Sequence, residues 1–276
     1  MSALCFCRWP SLSTLSSLNP SNQPLMWLTP DRVFYHGLLG APTLRSMGAV
    51  MVYVAVSGQL RIQLDGGDWQ HGTLAVVPPY LPHQVAAEDR RVHVLQIEAE
   101  TVDLAALPEV LQVRGTVHAP AWVERVRMVQ AQLSAQGLPG DSGGMDFDQL
   151  LLGQSLPARV LDTRIAKVLA AIKKDPAAPA VAQDYADLAH LSFSRFLHVF
   201  KQEVGAPFRS FRSWKRARNL LHHVVRQDAN LLDVALDAGY PDSTYFSHSI
   251  RQIYGLKPSD IFAGSRRLVV YAPALA

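Results

Sequence analysis

The segment Phe196-Leu197-His198-Val199-Phe200-Lys201-Gln202-Glu203-Val204-Gly205 recurs fifty positions later as Phe246-Ser247-His248-Ser249-Ile250-Arg251-Gln252-Ile253-Tyr254-Gly255. Both copies obey F-x-H-x-[F/I]-[K/R]-Q-x-x-G. Upstream, Ala186-x-x-Ala189-His190-Leu191 is echoed by Ala235-x-x-Ala238-Gly239-Tyr240. Each copy therefore reads as a short Ala-containing helix, a tight turn and a longer helix, the layout of a helix-turn-helix, present twice.

In the first copy Phe196, Val199, Phe200 and Val204 share one helical face, while Arg195, His198, Lys201 and Gln202 fall elsewhere. One face packs and the other is free to meet a partner. Ser192 or Ser194 can cap the longer helix, Gly205 supplies a left-handed stop, and Pro207 suits the first turn of the next helix. Asp242 or Ser243, Gly255 and Pro258 repeat this punctuation.

Charge is distributed unevenly along the 276 residues. Residues 1–161 carry 10 Lys and Arg against 13 Asp and Glu, whereas residues 185–276 carry 12 against 7, and every lysine follows Leu161. A basic C-terminal region beside an acidic N-terminal one fits contact of one end with a polyanion. The length predicts about two domains. No stretch reaches the roughly 18 uninterrupted apolar residues of a membrane span, so no membrane role is expected. Cys5 and Cys7 are too few for a disulfide framework or a zinc site and suit a reducing cytoplasm.

Residues 1–25 read as a disordered tail without the features of a secretory signal, and Met26 is an alternative start. Residues 26–118 carry a β pattern. Met51 to Val56 and Leu60 to Leu64 predict a hairpin, the Asp65-Gly66-Gly67-Asp68 turn follows, and Leu74 to Val77 and Val92 to Ile97 continue the strands. Many short strands between Gly and Pro turns suggest a sandwich or small barrel. Residues 119–161 form a helix and linker: Val123, Val126, Val129 and Leu133 lie at helical spacing within Ala121 to Ala135, a stripe that packs on the barrel or on a second subunit, and Gln136 to Asp148 predicts a loop. From Asp162, a helix cap, Ile165, Val168, Leu169 and Ile172 mark the buried stripe that opens the C-terminal helical domain, 162–263; residues 264–276 read as a tail.

Residues 162–263 resemble the DNA-binding domain of the AraC family of transcription regulators. The resemblance rests on Ser192-Phe193-Ser194-Arg195-Phe196, Phe200-Lys201-x-x-x-Gly205, Arg216-Ala217-x-x-Leu220-Leu221, and Ala235 through Gly239-Tyr240-x-Asp242-Ser243-x-Tyr245-Phe246 to Gly255-x-x-Pro258-Ser259. Two departures stand out: His190 occupies the position of a turn Gly, and Ser249-Ile250-Arg251 replaces a pattern ending in Phe-Lys. The resemblance implies two helix-turn-helix units joined by a long helix, about Pro207 to Arg226, that sets them roughly 34 Å apart for successive major grooves. It assigns base reading to Ser194, Arg195, Leu197, His198 and Lys201 in the first unit, and to Ser243, Thr244, Ser247, His248 and Arg251 in the second. Alternatives stay open: Arg195 reads a guanine edge or neutralises phosphate, Leu197 meets a thymine methyl or is partly buried, and Lys201 and Arg251 hold phosphates.

The N-terminal half resembles the cupin-type sensor found in many AraC-family proteins, through Val56-Ser57-Gly58-x-Leu60, the turn from Asp65 to Trp69, and Leu74-x-Val76-Val77-Pro78-Pro79-x-x-Pro82-His83. The fold class is thus two-domain α+β, a cupin-like β-barrel followed by an all-α domain. Metal-binding cupins present an H-x-H pair, a Glu and a further His; here His83 and His93 lack that set, so no cofactor is expected, although His71, His83 and His93 could converge. Tyr53, Arg61, Trp69, His83, His93 and Gln96 are the candidate effector-binding residues, some of which must point to solvent because strand neighbours alternate.

Three functions fit. The first is a regulator that binds double-stranded DNA under control of a small-molecule effector. The second is an effector-independent regulator, and the third a cupin enzyme with an attached interaction domain, for which the sequence shows no catalytic signature. The resemblance further implies a homodimer, with the Ala121 to Ala135 helix at its interface, and RNA polymerase as a partner.

Overall fold

The computed structural model describes residues 23–137, 146–224, 231–265 and 268–272. The expected tail over residues 1–22 and most of the expected loop after Gln136 lie outside them.

The N-terminal domain is built from two sheets. Strands β1 (Leu25–Leu28), β2 (Arg32–Leu38), β3 (Ala49–Ala55), β6 (Leu74–Val77), β8 (Arg91–Glu98), β9 (Gly115–Thr116) and β10 (Val269–Tyr271) form the larger, in the order β10-β1-β2-β8-β3-β6-β9. The smaller has the order β5-β4-β7, from β4 (Leu60–Leu64), β5 (Trp69–Gly72) and β7 (His83–Ala87). The predicted hairpin between β3 and β4 is not one. β3 pairs with β6 and β8, while β4 pairs with β5, across the Asp65–Asp68 turn, and with β7. The chain crosses from one sheet to the other between Ala55 and Leu60, around Gly58 at φ +56°.

Both faces of the large sheet are buried, which explains why β3 is apolar throughout rather than alternating. On one face Phe34, Val50, Val52, Val54, Leu95 and Ile97 pack under α2 (Pro120–Gln136) and α3 (Phe147–Leu152). The stripe Val123, Val126, Val129 and Leu133 of α2 is buried here, against its own sheet. On the opposite face Met51, Tyr53, Val92 and Val94 look toward the small sheet's Leu60, Ile62 and Val85.

Two ends of the chain differ from expectation. Leu25, placed in the tail, is a buried strand residue because its backbone pairs with β2, and residues 269–271, also read as tail, return beside β1 as a parallel strand. Neither segment is long enough to show a period of its own.

The C-terminal domain consists of α4 (Thr163–Lys174), α5 (Ala182–Leu188), α6 (Phe193–Val204), α7 (Phe208–Val224), α8 (Leu231–Asp237), α9 (Ser243–Tyr254) and α10 (Pro258–Ser265). Asp162 caps α4, accepting from the Arg164 amide, and the predicted stripe Ile165, Val168, Leu169 and Ile172 is buried. A four-residue helix, α1 (Glu109–Gln112), lies between the last long strand and α2.

The two helix-turn-helix units have different cores. The first is self-contained: α4, α5, α6 and the start of α7 bury Tyr185, Phe196, Phe200, Phe208 and Phe211 among themselves, with Phe200 edge-on to Phe208 at 5.2 Å between ring centroids. In the second, Val234, Ala235, Ala238, Phe246, Ile250 and Ile253 join Trp214, Ala217 and Leu220 of α7 in one continuous core with the inner face of the β-domain. No helix among the described residues is long and apolar enough to cross a membrane.

Candidate nucleic-acid interface

Each unit presents its longer helix, α6 or α9, with the same exposure. In α6, Phe196, Val199 and Phe200 are buried, and in α9 Phe246, Ser249 and Ile250 are. Of the ten residues expected to read DNA, Ser194, Arg195, His198 and Lys201 are exposed on α6, and Ser243, Thr244, His248 and Arg251 on α9. Leu197 and Ser247 occupy equivalent half-buried positions, and Leu197 packs partly on the first unit's core. Gly205 and Gly255 end these helices at φ +82° and +70°, the left-handed stop expected of both. Ser192 precedes α6 without a side-chain cap bond, while the Asp242 carboxylate accepts from the Tyr245 amide at 2.7 Å.

The tight turn before each helix also has left-handed backbone: Gly239 at φ +75° and His190 at φ +52°. A Cβ on Gly239 would strike the backbone of Ala177, whereas the His190 side chain stands in solvent. The departure at His190 thus leaves the turn geometry intact.

Not all of the C-terminal basic charge faces outward. Arg212 is buried, donating to the Ala178 and Ala180 carbonyls at 2.8 and 3.1 Å. Lys215 and Arg218 are also buried and point into the β-domain. Lys215 Nζ lies 2.5 Å from both Glu98 and Glu100, Arg218 Nε lies 3.2 Å from Glu98, and Trp214 Nε1 donates to Glu98 at 2.8 Å. Burial alone would raise the Glu98 carboxyl, but Lys215 and Arg218 outweigh it and hold it below the usual range. Burial would likewise lower Lys215, and the two carboxylates raise it instead. These cations bind α7 to the β-domain, and the composition counted them toward a polyanion they do not face.

The six candidate effector residues are dispersed. Tyr53, His83 and Gln96 belong to the inner face of the β-domain, and all three are buried. Tyr53 Oη lies 2.7 Å from His83 Nε2, and His83 Nδ1 lies 2.9 Å from the Leu81 carbonyl. Burial pushes His83 down to about 4, so its ring is neutral, with Nδ1–H donating to Leu81 and Nε2 accepting from Tyr53. Burial also pushes the Tyr53 hydroxyl up to about 12, against the pull of the neighbouring Arg45 guanidinium. Arg61 and Trp69 instead face outward on the small sheet, the guanidinium 4.8 Å from the ring centroid. Arg61 and His71 line an open groove of about 330 Å³ with Gln59 and Glu88.

His93 lies on the opposite face of the large sheet, under α2, its Nδ1 3.2 Å from that of His36. The convergence of His71, His83 and His93 does not occur, because alternation sends them to three different surfaces. Among the described residues no group of three or more His, Cys, Asp or Glu side chains is placed to hold a metal ion. Sequence reasoning missed Arg45, which is buried beside Tyr53 and has no carboxylate within ion-pair distance among the described residues, and the Glu98–Glu100 pair. Neither leaves a local pattern.

Comparison with known proteins bears on both halves. Residues 185–264 match the family described as helix-turn-helix domain. An uncharacterized HTH-type transcriptional regulator of Haemophilus influenzae is 26% identical over 113 residues, 41% of this chain and 38% of that protein. The match therefore spans under two fifths of that relative's length. Among solved structures, a single-substitution variant of ToxT from Vibrio cholerae superposes with a TM-score of 0.56 at 12% identity, covering 85% of this chain and 97% of ToxT. ToxT bound to (E)-4-(8-methylnaphthalen-1-yl)but-3-enoic acid gives 0.55 at 11% identity, covering 84% and 97%. At such identity these likenesses establish the two-domain fold.

Proposed function

We propose that this chain, whose C-terminal domain matches a helix-turn-helix family and resembles that of AraC-family regulators, is a sequence-specific DNA-binding transcription regulator controlled by a small-molecule effector. The observation that carries the reading is the pair of recognition helices, α6 and α9, equally exposed and joined through the one helix α7. A rigid connector fixes the spacing of two readers, so both enter successive major grooves on one face of a duplex. Arg195, His198, Thr244 and His248 are the side chains assigned to base edges. Lys201 and Arg251 are assigned to phosphates, where they set register and salt dependence.

Effector control is supported by the ToxT-like layout and by the buried polar group of Arg45, Tyr53, His83 and Gln96 beside the second unit. The compound bound to ToxT is a carboxylic acid with an aromatic arm. Acidic, largely apolar small molecules are thus the class to screen first, by the shift in melting temperature they produce. The chain would act in the cytoplasm, as a homodimer and with RNA polymerase as a partner. Since α2 spends its apolar stripe on its own sheet, a dimer would use another surface of that helix or of the domain.

The test is selection of bound sequences from a random duplex pool at two salt concentrations, with wild type, Arg195→Ala and His248→Ala in parallel. Wild type should yield a two-part motif spaced by about one helical turn. Arg195→Ala should relax one part and His248→Ala the other, each by about 1–3 kcal/mol at the affected base pair. Salt-sensitive binding without any motif, in the presence and absence of effectors, would refute the assignment.

A further inference from the structure

We infer that the segment Thr43–Ser46 is a transmission element that couples the Tyr53–His83 pair inside the sensor domain to the end of the second recognition helix, and not to the first. The inference rests on the reading of α9 as a DNA reader; the coupling itself is a property of the fold.

The connection is continuous and each link is short. Tyr53 and His83 are bonded at 2.7 Å within the core. The main chain of His83 exchanges both of its hydrogen bonds with Arg45, at 2.9 and 3.0 Å, and the Arg45 guanidinium is set beside the Tyr53 hydroxyl. On either side of Arg45 the segment grips α9. Thr43 Oγ1 donates to the Gly255 carbonyl at 2.5 Å, and the Ser46 amide donates to the Gln252 and Ile253 carbonyls at 3.2 Å each. The last carbonyls of a helix have no partner within it and carry the negative end of its dipole. Here the sensor domain supplies donors to them. Ser46 is in turn tied to the Tyr80 carbonyl at 2.9 Å, so the segment is anchored at both ends.

The repeat provides an internal control. Gly205 and Gly255 are equivalent, with nearly the same backbone angles, but space beyond Gly205 is open. A Cβ on Gly255 would meet Thr43, Leu44 and Arg45. The core repeats this asymmetry, since the first unit buries its own aromatic rings and the second shares its core with the β-domain. A change in the hydrogen bonding of Tyr53 or His83, whether from an effector or a substitution, has a short hydrogen-bonded route to α9 through the four residues Thr43–Ser46. Among the described residues no donor from the β-domain reaches the last carbonyls of α6.

Amide hydrogen exchange on the full chain tests this without reference to DNA. Tyr53→Phe keeps the ring and removes only the hydroxyl between Arg45 and His83; Thr43→Val keeps the shape and removes the donor to Gly255. Each should raise exchange in the last turn of α9, Arg251 to Gly255, by about five- to tenfold, as expected for one lost hydrogen bond. Exchange at Lys201 to Gly205 should not change, and the double variant should add little to either single one. In the sequence selection Tyr53→Phe should alter only the half-site lost in His248→Ala. Equal acceleration at both helix ends would show general loosening and overturn the inference. So would an effect of Thr43→Val with none from Tyr53→Phe, which would reduce the contact to static docking. A wild type that selects no motif would sink the DNA reading instead, and would leave the exchange result standing.

Discussion

His190 is a non-glycine residue held in left-handed backbone, at a turn where the equivalent position is Gly239. An L side chain there costs roughly 1–2 kcal/mol, and glycine returns part of that gain through the larger entropy of its unfolded chain. The balance favours glycine, because the His190 ring is exposed and makes no compensating contact with the core. His190→Gly should therefore stabilise the first unit by about 0.5–1 kcal/mol, seen as a higher urea midpoint with an unchanged slope, and should leave the DNA motif intact. A lower midpoint would mean that the imidazole contributes to the turn. The reverse exchange is not available to Gly239, where the backbone of Ala177 fills the space a side chain would need.

At the scale of elements, α7 has two tasks, connector and anchor. Its buried Lys215 and Arg218 meet Glu98 and Glu100, which lie at and just beyond the end of β8, and Arg218 also donates to the Thr29 carbonyl at 2.9 Å. Glu98→Gln keeps the shape but withdraws the charge shared by two buried cations, which should cost about 3–5 kcal/mol. Lys215→Met should cost a similar amount. The double variant should cost well under the sum, because it removes both partners of one pair. Chemical denaturation of the four proteins measures this coupling, and a neutral Glu98→Gln would show that the Glu98 charge does not hold α7 in place. This network was invisible in the sequence, since Glu98 and Lys215 are 117 positions apart and each looks like an ordinary surface charge. The recognition helices were legible because their signal is local: apolar spacing, a cap and a terminal glycine within a dozen residues, written twice. Sheet membership was not, and β3 and β4, adjacent in sequence, belong to different sheets. Of the candidate effector residues, alternation correctly required some to face outward, but only pairing could reveal that Tyr53 and His83 meet.

The whole molecule has two kinds of core, and pH should distinguish them. His36 and His83 are pushed by burial to about 4, and His93 lies well below its ordinary value, so all three rings are neutral in the folded chain. Unfolding frees them to bind protons below about pH 6.5. Their contribution is thus fully present above pH 6.5 and is lost as pH falls from there toward 4, by at most roughly 3 kcal/mol for each of His36 and His83. Glu98, held low, and Lys215, held high, keep the α7 anchor charged across this window, so the loss belongs to the histidines. All three rings lie in the β-domain, whose core continues into the second helix-turn-helix unit, while the first unit's core contains no histidine. Calorimetry at pH 7.5 and 5 should therefore show the transition of the β-domain with the second unit moving to lower temperature, while that of the first unit stays nearly fixed. His83→Gln should reduce the pH-dependence of the former. A single transition that moves as one would mean that α7 transmits unfolding as well as spacing, and that the first unit, despite its separate core, is not thermodynamically independent of the β-domain.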